Sequence, residues 1–138
     1  MAAIQVPPNC DLTLGVVCLD KSVPGRTTWQ MYADERFANP AGVLQGGFVT
    51  ALADAAMGAA TITHLQGEKT YSANVELKMS FVRPAVIGST LTATGEVVSG
   101  GKRVVFCECS ISDDAGRLIA KASSTYLLTP REGGPTSD

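Results

Sequence analysis

The stretch from Gly46 to about Leu65 constrains this chain more than any other part of it. It is dense in Ala, Leu and Met and free of proline, so both propensity and length favour a helix over a strand. Its apolar residues, Phe48, Val49, Leu52, Ala53, Ala56, Met57 and Ala60, go nearly all the way round. A helix of that kind is normally buried in a core, so other elements must wrap it.

The wrapping material follows directly. Tyr71, Ala73, Val75, Leu77, Met79 and Phe81 alternate with Ser72, Asn74, Glu76, Lys78 and Ser80, the period of a half-buried strand. Strand-like runs recur at Thr90–Val98, Arg103–Ser112 and Leu118–Leu128. The separators, Arg83-Pro84 through Gly88, Gly100-Gly101 and Asp113 through Gly116, are rich in turn-forming residues, and consecutive short turns imply antiparallel neighbours. Before the helix, Leu14–Leu19 and Thr27–Ala33 read as a hairpin around Ser22, Pro24 and Gly25. The reading is an α+β fold: an antiparallel sheet wrapped around one long helix. The 138 residues fit a single domain, 1–138, with loose termini at about 1–12 and 130–138.

Composition removes several functional classes. With 11 Lys plus Arg against 13 Asp plus Glu the net charge is -2, so no global basic field draws the chain to nucleic acid. The N-terminus lacks a positive region followed by an apolar stretch, and no run approaches a membrane span, which points to a cytoplasmic protein. Cys10, Cys18, Cys107 and Cys109 show no paired spacing with histidines, so no metal site is expected and the four are read as free thiols acting as small buried hydrophobes. His64, the only histidine, stands at the helix end without a partner motif and is read as structural.

One charge stands out. Between Arg36 and Glu68 the only formally charged residue is Asp54, in the middle of the apolar helix. A buried carboxylate is costly unless paired or hydrogen-bonded. Thr50, Asp54 and Gly58 recur every four residues and share one helix face, a narrow polar or small stripe that either lines a cleft or serves a structural acid bonded to Thr50 or a backbone amide. Upstream, Asn39, Pro40, Gly42, Gln45, Gly46 and Gly47 form a loop whose glycines allow close backbone approach and leave unpaired N–H groups at the helix start, suited to partial negative charge.

The run Asn39-Pro40-Ala41-Gly42-Val43-Leu44-Gln45-Gly46-Gly47, followed by Asp54, resembles the loop and helix of the hotdog-fold acyl-CoA thioesterases of the phenylacetate-pathway (PaaI-like) type. Phe81-Val82-Arg83-Pro84, Gly100-Gly101-Lys102-Arg103 and Asp114 through Ala120 look like features of the same family. The resemblance implies the hotdog fold and a thioester hydrolase acting on acyl-CoA without metal or cofactor, CoA entering only as part of the substrate. It makes Asp54 the catalytic carboxylate, as nucleophile or general base. The Gly46 amide polarises the thioester carbonyl, and Asn39 positions the attacking water or the carbonyl. Gln45 replaces the family's usual His; its amide offers one donor and one acceptor but does not titrate near pH 7. Arg83, Lys102 and Arg103 would approach the CoA phosphates, Gly47 and Gly101 would contribute to substrate binding, and Asn74 would lie near the acyl end.

Helix geometry adds its own constraint. Gly46 and Asp54 are eight residues apart, about 12 Å along one axis, too far to share one carbonyl. Antiparallel helices from two subunits would bring Gly46 of one against Asp54 of the other, giving a homo-oligomer, a dimer or dimer of dimers, as in the family. Two other functions fit the same residues. A non-catalytic acyl-CoA binding or sensing protein would gain nothing from Asp54, and an acyl-thioester hydratase would need a catalytic His that the loop lacks.

Overall fold

A computed structural model describes residues 5–67 and 70–130. A short helix α1 (Asn9–Leu14) leads into strands β1 (Val17–Val23) and β2 (Arg26–Tyr32). After one turn of 3-10 helix at Glu35–Phe37 comes the long helix α2 (Gly46–His64), then β3 (Thr70–Phe81), β4 (Thr90–Gly100), β5 (Val104–Ser112) and β6 (Leu118–Pro130). All six strands form one antiparallel sheet around α2, as the sequence leads one to expect.

The order across the sheet is β1-β2-β4-β5-β6-β3, which corrects one expectation. Arg83-Pro84 through Gly88 is not a hairpin joining β3 to β4, because β6 and β5 lie between them. The segment instead crosses one end of the sheet. Val82 and Arg83 N–H donate to the Ile119 carbonyl, the Ala85 carbonyl accepts from Leu44, and Gly88 N–H reaches Ala33 beside β2. Its turn residues serve a crossover, and β3 is left on the sheet's edge.

The core lies between α2 and the inward side of the sheet. Val49, Leu52, Ala53, Ala56 and Met57 pack on Met31, Leu91, Ala93, Val105, Ile111 and Ile119, all buried. Each fully buried side chain of Leu or Met size contributes about 1.5–3 kcal/mol. Thr27 reaches the helix as well, its hydroxyl donating to the Ala56 carbonyl at 2.7 Å.

Several local expectations change. Asn9–Leu14 is helical, taking in the end of the segment read as loose and Leu14, expected to open the first strand; Gly15 in the left-handed region at φ 70° closes it, and β1 starts only at Val17. Residues 1–4 and 131–138, which hold most of the expected loose ends, lie outside the described residues. Cys107 and Cys109 are buried, and burial pushes the Cys109 thiol up to about 12, but Cys10 is exposed and packs in no core. Among the described residues no helix is long and apolar enough to cross a membrane.

The clean alternation of β3 also breaks. A bulge between Asn74 and Glu76 places Val75 out of register with β6, so the inward face switches from Ser72 and Asn74 to Leu77 and Met79. Tyr71 and Val75 are exposed as a result. Bulges commonly re-aim a side chain next to a functional site. This one turns Asn74 toward α2.

Candidate active site

The loop before α2 is held from several sides. Asn39 Oδ1 accepts from Ala41 N–H at 2.9 Å and Val43 N–H at 3.3 Å, and Gly42 turns the chain with φ 79°. Gln45 N–H donates to the Phe37 carbonyl, and the Phe37 ring stacks on Phe48 with centroids 4.3 Å apart. These contacts fix where the helix begins.

Gln45 is the N-cap of α2: its side-chain Oε1 accepts from Gly47 N–H at 2.7 Å. That bond satisfies one of the open donors of the first turn. Gly46 N–H has no acceptor among the described residues. A side chain at Gly46 would press on the Phe81 ring, 3.1 Å from its nearest atom, so glycine allows a close approach here. Gly46 borders a cleft of about 300 Å³ whose walls include Asn39, Val43, Val49, Phe81, Arg83 and Ile119. The walls are mainly apolar, and the positive end of the α2 dipole opens onto them.

Asp54 occupies the middle of α2 but is not buried, contrary to the expectation from its apolar surroundings in sequence. The sheet covers one side of α2 only. Gly47, Asp54 and Ile62 are exposed and Thr50, Ala51 and Gly58 half-buried, forming a stripe along the uncovered side. Thr50 does not bond Asp54; its hydroxyl donates to the Gly46 carbonyl at 2.8 Å.

The partners of Asp54 come from the sheet. Asn74 Nδ2 donates to Asp54 Oδ1 at 3.1 Å, and the Tyr126 hydroxyl donates to the same oxygen at 3.0 Å. Asn74 Nδ2 also donates to Ser124 Oγ at 2.8 Å, and Ser124 in turn donates to the Glu76 carbonyl at 2.8 Å, on the far side of the bulge. Oδ2 of Asp54 has no partner among the described residues. Burial and the Asp54 charge push the Tyr126 phenol well above the ordinary tyrosine range, so it stays a donor.

Tyr126 and Ser124 are functional candidates that sequence reasoning missed. The signal was there in the alternation of β6, where they are the polar members of an inward row that includes Ala120, Ala122 and Leu128. A buried hydroxyl on such a face needs a partner; Tyr126 finds Asp54, and Ser124 finds the Glu76 carbonyl and accepts from Asn74.

The remaining candidates fall at two ends of one chain. Arg83 lies beside the Gly46 cleft, its Nη1 donating to the Leu118 carbonyl at 2.9 Å. Gly101, Lys102 and Arg103 lie in the β4–β5 connection beside His64, at the other end of α2, about 27 Å from Gly46 along the helix. His64 packs closely on Gly100, in keeping with a structural role. Within one chain, then, three stations stand apart: Asn39, Gln45, Gly46, Gly47 and Arg83; Asp54 and Asn74; and Gly101, Lys102 and Arg103.

A sequence model of the thioesterase superfamily matches residues 41–120. Acyl-coenzyme A thioesterase 13 of Homo sapiens is 28% identical over 121 residues, spanning 87% of this chain and 85% of that protein. Among solved structures, the PaaI protein of the E. coli phenylacetic acid degradation operon matches with a TM-score of 0.82 at 22% identity, covering 88% of this chain and 85% of the other. A hypothetical thioesterase protein of Streptococcus pneumoniae, solved with coenzyme A, matches with a TM-score of 0.75 at 20% identity over 83% of this chain and 89% of its own.

Proposed function

Starting from the premise that this chain belongs to the thioesterase superfamily and carries its hotdog fold, we propose that it hydrolyses an acyl-CoA thioester to a free acid and CoA. The observation that carries the reading is the state of Asp54, exposed on the side of α2 that the sheet leaves open: one carboxylate oxygen is held by two donors, and the other has no partner among the described residues. Acyl-CoA as substrate class draws support from the relative named acyl-coenzyme A thioesterase and from the neighbour solved with coenzyme A.

In this reading the thioester carbonyl lies against Gly46 N–H, which donates to the oxygen as negative charge develops there. Asn39, beside the same cleft, positions the carbonyl or the attacking water. Along the general-base route, Asp54 Oδ2 takes a proton from water while the hydroxyl adds to the carbonyl carbon; collapse expels the CoA sulfur, which leaves with that proton. Along the nucleophilic route, Asp54 itself adds, expels the thiolate and forms a mixed anhydride that water then hydrolyses. Neither route asks Gln45 to titrate.

The site is shared between two copies. Gly46 and Asp54 of one chain cannot meet at one carbonyl, but two antiparallel α2 helices facing each other along their uncovered small-residue sides bring them together. The exposed edge strand β3 and its apolar Val75 and Phe81 support the same pairing. Across such a dimer, Arg83 of one chain and Lys102 and Arg103 of the other become available to CoA phosphates, with Gly47 and Gly101 offering close backbone approach and Asn74 facing the reacting end.

The test is a panel of acyl-CoA substrates read by thiol release, run on the wild type and Asp54→Asn. Turnover should fall at least about a hundredfold in the variant, as for a positioned acid-base group, with an unchanged circular dichroism spectrum. An Asp54→Asn protein that keeps most of its activity overturns the reading. Single-turnover hydrolysis in labelled water then separates the routes, because label enters Asp54 only through the anhydride.

A further inference from the structure

We propose that Tyr126 is a positioning residue for Asp54: it holds Oδ1, so that Oδ2 is the oxygen presented to the substrate. The inference rests on the catalytic reading of Asp54 and adds to it a residue from another element of the fold.

Three observations converge on it. The Tyr126 ring is anchored in the core, with 2% of the residue exposed, yet its hydroxyl reaches the carboxylate of an exposed helix residue at 3.0 Å. An exposed carboxylate can satisfy all its acceptor sites with water, so Asp54 does not need Tyr126 for solvation. What a rigid buried donor supplies is a fixed direction. Second, Asn74 is the register partner of Tyr126 on β3 and donates to the same Oδ1, so two donors from neighbouring strands fix one oxygen and oppose rotation of the carboxylate. Third, the Asn74 amide is itself set by the buried Ser124 hydroxyl, which bonds across the β3 bulge to Glu76. The sheet, not the helix, therefore sets how the acid points. Groups held in this way lose less on reaching the transition state, and small misplacements of them are costly in rate.

The experiment compares four full-length proteins: wild type, Tyr126→Phe, Asp54→Asn and the double variant. All are assayed by thiol release well below the lowest melting midpoint of the set, with folding checked by circular dichroism. Phenylalanine keeps the ring and its packing and removes only the donor. Tyr126→Phe should lower kcat about ten- to hundredfold, the size expected for one hydrogen bond to a charged group, with KM nearly unchanged. In the Asp54→Asn background the same change should cost nothing further, because its effect passes through Asp54. A loss confined to KM, an equal loss in both backgrounds, or wild-type kcat in Tyr126→Phe while Asp54→Asn is inactive each overturns the assignment of Tyr126 and leaves Asp54 standing. Full activity in Asp54→Asn overturns both.

Discussion

Gly95 on β4 lies so close beneath Ala56 of α2 that a methyl group on it would stand 2.6 Å from the Ala56 carbonyl. Helix backbone, not a flexible side chain, fills that space. Beside it Thr27 donates to the same carbonyl, and Trp29 Nε1 donates to Thr27 at 3.1 Å. The helix is seated on the sheet at this point, two residues beyond Asp54.

Gly95→Ala should therefore force α2 away from the sheet. Overpacking of this kind typically costs about 1–3 kcal/mol, read as a lower denaturant midpoint. Activity should fall as well, since lifting the helix at Ala56 moves Asp54 relative to Tyr126. A variant with wild-type midpoint and rate would show that the contact can be relieved elsewhere.

A second prediction concerns acid stability. Asp113, in the β5–β6 turn, accepts from Arg117 and Ala115 N–H and pairs with the Arg117 guanidinium at 2.9 Å. The Arg117 backbone bond is the largest influence, and together these partners hold its carboxyl below the usual carboxylate range. The unfolded chain then binds the proton first, so the stabilisation is present above about pH 4 and is lost as pH falls through the folded-state value. Asp113→Asn should be less stable than wild type near neutral pH, and the gap in urea midpoint should narrow in acid. A gap that stays constant with pH would place the effect outside this ionisation.

The sequence made the helix and most strand boundaries legible because they are local properties. Gly46 to His64 is a long proline-free run, and β4, β5 and β6 each follow a period-two pattern bounded by Gly or Asp. Strand order was less accessible. Nothing local to Arg83-Pro84 distinguishes a hairpin from a crossover, and the pairing of β3 with β6 joins residues about 50 apart in the chain. The bulge at Val75 was hidden for the opposite reason: the apolar-polar alternation runs through it unbroken, although the backbone does not. Asp54 looked buried because its sequence neighbours are apolar; it is exposed because one face of α2 is left without sheet. With that cover missing, its second carboxylate oxygen has no partner among the described residues.

The proposed pairing uses that open face. Sedimentation should show a dimer or larger species at assay concentrations. Ala51, half-buried on the uncovered side of α2, offers a test away from the reacting groups. Ala51→Arg should give a folded monomer by circular dichroism and sedimentation, with hydrolysis lost, because the proposed meeting of Gly46 and Asp54 is then blocked. A catalytically competent monomer would contradict the shared site.

The last prediction concerns Gln45, whose side chain is now seen to cap α2 through Gly47 N–H. The bond uses the amide oxygen as an acceptor and asks for no charge. In the proposed mechanism it steadies the turn in which the neighbouring Gly46 N–H stays available for the thioester oxygen. Gln45→Ala should lose the cap, about 0.5–2 kcal/mol of stability, and should also lose part of the oxyanion stabilisation. The rate loss should be smaller than the roughly 2.7–4 kcal/mol typical of deleting an oxyanion donor outright, because Gly46 itself remains. Gln45→His should keep or raise activity, since a neutral imidazole nitrogen can accept from Gly47 in the same way. Glutamine does not ionise, so the wild-type kcat/KM should show no titration belonging to this position. The His variant should acquire one near about pH 6.5, with protonation removing the acceptor and lowering the rate on the acid side. The deciding measurement is kcat/KM against pH for the three proteins, beside their melting curves. An alanine variant that matches wild type in rate at every pH while melting earlier would confine Gln45 to capping, and would leave Asn39, Gly42 and the Phe37–Phe48 stack to hold the loop in its active shape.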